Sequence, residues 1–349
     1  MRAQVVFGSL AVLISCLGSQ ARADDCGPLK QVASLDMTAG PNGRMLVPVS
    51  INGQPQQMVL ATAGGITSLR QDAVAAMGLH PIDGSHIKLL SSNGTASQDF
   101  VQIDFGIGNV RDPKLQVMVL PVQGSGPPPF VGALAGDFLS LYDVEMDFAG
   151  HKLNFFSKDH CPGHVLYWNP SAVAVVPITL QLPTGDDSRT GFRHYSYRGS
   201  HINVPVSING KNFKAALDTT SPTSSMSVDT AKFIFGVTAD SPGAVPLGSA
   251  DGNPDHKQFG YIFPSLTFDT VTVTNARFRI YPNLYGSRDP NNSIRTDTRI
   301  GRIDDNIGGD ITIGMDVLRK LRLYVAYGEL KLYVSPATAA AQPASAAQQ

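Results

Sequence analysis

The stretch AALDTTSPTS sets Asp218 beside the hydroxyls of Thr219 and Thr220, at the end of an apolar run that reads as a strand. A carboxylate on such a turn can serve as general acid or base, provided a second group handles the other proton of the reaction. The segment VPVSING occurs twice, at residues 47–53 and 204–210, and Asp218 stands eight residues past the second copy. Eight residues past the first copy, in VLATAGGITS, stands Ala61. A methyl group neither holds nor passes a proton. The chain thus repeats the surroundings of an acid and keeps the acid in one copy only.

Both copies lead through the same order of elements: strand, turn, short helix, hairpin and strand pair. Asn93-Gly94 and Asp251-Gly252 supply the hairpin signals, since these dipeptides suit turns that follow strand twist. The endings agree as well. Residues 134–156, LAGDFLSLYDVEMDFAGHKLNFF, align with IGMDVLRKLRLYVAYGELKLYV at 313–334, setting Asp137 over Asp316 and Lys152 over Lys331. The second copy is longer, and its polar, glycine-rich stretch 285–310 is expected to take the extra residues as a surface loop.

A chain of 349 residues is long enough for two domains with cores of their own. With 34 Gly, 24 Pro and many β-branched runs, it reads as a turn-rich β protein rather than a helical one. A net charge of −1 and 16% charged residues give no basic stripe, which argues against nucleic acid and anionic membrane surfaces as partners.

Strand, then LDT or its equivalent, short helix, flap-like hairpin and a closing IGMDVL resemble the lobe of retropepsin-type aspartic peptidases. Two such lobes in one chain resemble the bilobal, pepsin-like members of that family. The resemblance covers roughly residues 32–334. It implies an all-β fold of two tandem acid-protease-type barrel lobes with short helices and a cleft between them. The domains expected are a signal peptide at 1–23, a degenerate first lobe at 24–156, a linker at 157–172, a second lobe at 173–334 and a disordered tail at 335–349. Catalysis in this family needs two carboxylates that share one proton across the cleft, one acting as base on a water while the other polarises the peptide carbonyl. The resemblance therefore implies Asp218 and Thr219 as the surviving catalytic turn, Ala61 as the degenerate partner position, and flap tips at Asn93, Gly94, Asp251 and Gly252. It implies a peptide or unfolded polypeptide segment as partner, with no cofactor and no metal.

The sequence departs from the family pattern at three places. Ala61 replaces an acid, while Ala63 and Thr220 occupy the glycine places of the two turns. Asp72, in the following helix, offers no route to replace the missing carboxylate. The expectation is a peptide-binding cleft impaired or inactive as a protease. The alternative is an active endopeptidase in which Asp218 pairs with Asp218 of a second molecule, as a homodimer.

The N-terminus carries Arg2, an apolar run at 5–17 and Ala21-Arg22-Ala23, the pattern of an export signal, so a periplasmic or extracellular location is expected. Leu13-Ile14-Ser15-Cys16 also fits a lipoprotein box, though the polar segment before the cleavage site suits free release better. Past the signal only Cys26 and Cys161 remain, and two cysteines in an exported chain most often pair. His160, Cys161 and His164 together also gather three metal-ligand types, without a fourth at metal-binding spacing. Ser224 and Ser225 lie near Asp218, but no Gly-x-Ser-x-Gly turn accompanies them. The glycine-rich stretch before residue 315 lacks the Lys-Ser/Thr of a phosphate loop.

Overall fold

The computed structural model describes residues 26–83, 89–90, 96–97, 99–121, 129–181, 201–249, 252–253, 256–282 and 311–337. The expected signal with Cys16, the tips Asn93, Gly94 and Asp251, the 285–310 loop and residues beyond 337 lie outside the described residues.

Each copy of VPVSING is a strand plus the turn that ends it. Met45–Ile51 buries Val47, Val49 and Ile51, and His201–Ile208 buries Val204, Val206 and Ile208, the period-two pattern of a sheet with one face on a core. The last two letters, Asn52-Gly53 and Asn209-Gly210, have φ of 50° and 79°, and of 46° and 79°. Positive φ at both positions is what a two-residue hairpin of matching twist requires. The chain folds back into Gln54–Ala61 in the first half and Lys211–Leu217 in the second. Asn52 Oδ1 then accepts the Asp104 N–H at 2.9 Å, and Asn209 Oδ1 accepts the Ser265 N–H at 3.1 Å. Each asparagine ties its hairpin to a third strand, so the repeat has a physical reason to run through its final two letters.

Around these hairpins the two halves build the same eight-stranded sheet. The first runs Thr38–Ala39, Met45–Ile51, Gln54–Ala61, Gly132–Ala135, Ser68–Arg70, Val110–Leu120, Asp99–Ile107, Ile82–Asp83. The second runs Thr179–Gln181, His201–Ile208, Lys211–Leu217, Ile311–Ile313, Ser224–Ser227, Val271–Tyr281, Lys257–Phe268, Val245–Ser249. Each closes on itself through a further pairing, Met45–Ile51 with Asp99–Ile107 and His201–Ile208 with Lys257–Phe268. The protein is all-β, with two barrel-like lobes. Short helices follow corresponding strands: Gln71–Ala76 and Gly136–Leu139 in the first lobe, Val228–Phe235 and Met315–Leu318 in the second.

A third sheet fuses the lobes. Its six strands run Gln31–Asp36, Lys152–Phe156, Asp143–Asp147, Leu321–Ala326, Lys331–Pro336, Ala174–Pro177, with the first three contributed by the first half. At the seam Val144 pairs with Val325 and Met146 with Leu323, antiparallel, and one hydrophobic core runs through both lobes.

One boundary differs from the sequence expectation. The last strand continues to Pro336 and buries Ser335, whose hydroxyl accepts the Trp168 indole N–H at 3.2 Å, so the second lobe extends past residue 334. Residues 157–172 connect the lobes but are packed on the shared sheet, with Val165 and Trp168 against Phe156, Tyr324 and Tyr333. Cys161 is joined to Cys26. His160 Nε2 meets Asp143 Oδ2 at 2.6 Å, both side chains buried. The Arg322 guanidinium lies 4.4 Å from the Trp168 ring centroid and pairs with Glu145, whose second oxygen accepts the Asn154 Nδ2–H at 2.7 Å. Asp143 and Glu145 are wholly buried, and each has the partners that make burial of a carboxylate tolerable.

Candidate active site

The Ala61 and Asp218 turns meet at the seam of the lobes, and the residue after each holds the other lobe. The Thr62 N–H donates to Thr219 Oγ1 and the Thr219 N–H donates to Thr62 Oγ1, both at 3.1 Å. Thr62 Oγ1–H then donates to Leu217 O at 2.8 Å, and Thr219 Oγ1–H to Leu60 O at 2.6 Å. Both threonines are buried, so each hydroxyl is committed as donor and acceptor to the opposite chain. The Thr219 hydroxyl is thereby engaged in holding the seam. Thr62 plays the same part and was missed in the sequence. The signal was present in the threonine shared by ATA and DTT.

A second pair of matching bonds supports each turn from behind. Asp137 accepts from Thr67 N–H at 2.8 Å and Thr67 Oγ1–H at 2.6 Å, while Asp316 accepts from Ser224 N–H and Oγ1–H's counterpart, the Ser224 hydroxyl, both at 2.8 Å. Thr67 Oγ1 in turn accepts the Ala135 N–H at 3.1 Å, and Ser224 Oγ accepts the Gly314 N–H at 3.0 Å. The carboxyls aligned by the two endings are thus clamps on the loops that carry the site, and Ser224 is part of a clamp rather than a nucleophile. Burial pushes the Asp137 carboxyl above its usual range, against the opposing pull of the Thr67 and Phe138 donors.

The strands deliver the two candidate positions to equivalent places. Ala61 is in register with Ala135 on the parallel neighbour, as Leu217 is with Ile313, and the Asp218 N–H continues that ladder to Ile313 O at 2.9 Å. Ala61 is buried, with its methyl 3.3 Å from where a side chain on Gly64 would begin. Asp218 is half-buried. Its Oδ1 accepts the Thr220 N–H at 2.8 Å and the Thr220 hydroxyl at 2.6 Å. The residue in the glycine place therefore folds its own hydroxyl onto the acid. Arg44, from the first lobe, donates through Nε to Thr220 O at 3.3 Å.

Asp72 is engaged beside its own helix. It pairs with Arg70 through both oxygens, at 3.0 and 2.5 Å, and that hydrogen bonding holds it below the usual carboxylate range. Of the expected flap tips, Gly252 has φ of 82° and is exposed, next to the hairpin of Val245–Ser249 with Lys257–Phe268. In the first lobe Leu89–Leu90 pairs with Ala96–Ser97, bracketing the expected Asn93-Gly94 tip. The sulfur of Cys161 is bonded to Cys26 and His160 to Asp143, which removes two of the three metal-ligand candidates from that role.

Residues 47–138 match the family model described as aspartyl protease. The match lies within the first lobe, the one that carries Ala61. Among solved structures, the chain is similar to an aspartic proteinase from Irpex lacteus at 12% identity, covering 88% of this chain and 98% of that one with a TM-score of 0.49. It is also similar to Basic 7S globulin from soybean at 10% identity, covering 89% and 96% with a TM-score of 0.48. No curated protein matches the sequence significantly.

Proposed function

We propose that this chain is an exported protein of the aspartic-peptidase family whose bilobal cleft holds an extended polypeptide segment and cleaves it poorly or not at all. What supports this reading is that Ala61 and Asp218 immediately precede the two threonines that hold each other across the seam: the threonines, the clamping acids and the parallel ladders are duplicated, and the carboxylate is not. Losing one member of a cooperating catalytic unit costs on the order of 10⁴–10⁶ in rate. A sheet-lined cleft retains its capacity to bind an extended strand through main-chain hydrogen bonds. The Cys26–Cys161 bond supports the exported location, since such bonds persist in oxidising compartments.

The alternative, Asp218 paired with its copy in a second molecule, has less support. The Asp218 turn is already seated on Thr62 and Leu60 of its own first lobe, and a second molecule would have to displace that buried seat. Hydrolysis of an unfolded protein across pH 3–7, wild type against Asp218→Ala, tests both readings. Equal and negligible turnover supports the cleft without chemistry; acid-range turnover that disappears in the variant overturns it.

A further inference from the structure

We propose that the remaining carboxylate is a recognition site: Asp218 binds a cationic nitrogen carried by the polypeptide in the cleft, which rests on the peptide-cleft reading above. Both hydrogen bonds that Asp218 receives arrive on one oxygen, Oδ1, from the N–H and the hydroxyl of Thr220. Its Oδ2 receives no hydrogen bond from the described residues, and the residue is only half-buried. Arg44 reaches the same turn but gives its Nε–H to Thr220 O and forms no ion pair with Asp218 among the described residues. A half-buried carboxylate whose bonds from the described residues all fall on one oxygen attracts a donor that brings positive charge.

The replacement at position 61 decides what kind of donor that is. A second carboxylate there would share a proton with Asp218 and compete for any incoming cation. The Ala61 methyl does neither, and the buried alanine lines the seam with apolar surface. Thr220 fixes the orientation of the carboxylate in advance, so little side-chain freedom is lost on binding. The substitution that removes protease chemistry thereby leaves a preorganised anionic acceptor at the centre of a peptide cleft. Its ligand is an ammonium or guanidinium group, on a Lys or Arg side chain or at a peptide N-terminus.

Titration calorimetry with the full exported chain tests this, using three valine-rich pentapeptides with amidated C-termini. One is N-acetylated with a central Lys, one is N-acetylated with a central Gln, and one carries the central Gln with a free N-terminal amine. A charge-assisted hydrogen bond predicts that the Lys peptide binds about tenfold tighter than its Gln counterpart, or more. That preference should shrink with added salt and disappear in Asp218→Asn, which keeps the acceptor for Thr220 and loses the charge. Tighter binding of the free-amine peptide than of the acetylated Gln peptide assigns the site to a terminus as well as to a side chain. Equal binding of all three peptides overturns cation recognition and leaves the cleft reading standing. No binding of any peptide overturns the cleft reading itself, and with it this one. Should Asp218→Asn fail to fold, the Lys-against-Gln ratio and its salt dependence in the wild type decide the question.

Discussion

Thr62 and Thr219 hold each other across the lobe seam, each N–H donating to the other's hydroxyl at 3.1 Å while each hydroxyl donates onward to a carbonyl of the opposite lobe. This reciprocal seat fixes Ala61 and Asp218, the residues immediately before them, at matching positions.

Thr62→Val and Thr219→Val should each destabilise the protein strongly, because each orphans a buried amide and a buried carbonyl, at about 1–3 kcal/mol per group. The double variant should depart from the sum of the singles, because the two hydroxyls are in direct contact at 3.4 Å and each change disturbs the seat of the other. Urea unfolding of the cycle checks this. Additive losses would mean that the two hydroxyls do not act as one unit.

Ala61→Asp should restore acid-range peptide hydrolysis in part, by returning the second member of a proton-sharing pair. Adding Thr220→Gly should raise it further, because the Thr220 hydroxyl no longer occupies Asp218 Oδ1. The triple variant with Ala63→Gly should be the most active of the three. Initial rates on an unfolded protein between pH 3 and 6 give the ranking. A folded but inert triple variant would show that the missing acid is not what disables the cleft.

His160 should make stability depend on pH. Burial works against its charge, but the hydrogen bonds it donates to the Asp143 carboxylate and the Cys161 carbonyl, with the fields of Asp143 and Glu329, raise its pKa above the ordinary value. A raised pKa means stability that is fully present below about pH 6.5 and is lost as pH rises through the folded-state value. The gap in melting temperature between wild type and His160→Ala should therefore be widest near pH 5.5 and narrow towards pH 9. A gap that does not change with pH would contradict the charged pairing with Asp143.

Replacing Cys26 and Cys161 together by Ser should cost up to about 4–5 kcal/mol in the chain-entropy picture, because the bond closes a long loop. The loss should be read from denaturant midpoints under oxidising conditions, and wild type under a strong reductant should move towards the variant. Unchanged midpoints would mean that the packing of 157–172 alone holds the strap in place.

Much of this molecule was legible in its sequence because the relevant signals are local. Val47, Val49 and Ile51 repeat as Val204, Val206 and Ile208 and announce the strand, and the shared endings announce the clamping acids. The single acid at Asp218, the doubled lobe plan and the cysteine pair follow from spacing and parity. The Asn-Gly inside VPVSING was equally local, yet its role as a hairpin turn emerged only with its φ values. What the tertiary structure decided is the use of each group. Thr219 is a seat at the seam because its partner, Leu60 O, is 159 residues away in the chain. The linker became a packed strap because Asp143, Glu145 and Arg322 come together only when the two halves share a sheet. A hydroxyl or a carboxylate has the same letter whether it meets water or a buried donor. Only the docking of the two lobes determines which, because desolvation and hydrogen bonding depend on what lies opposite in space.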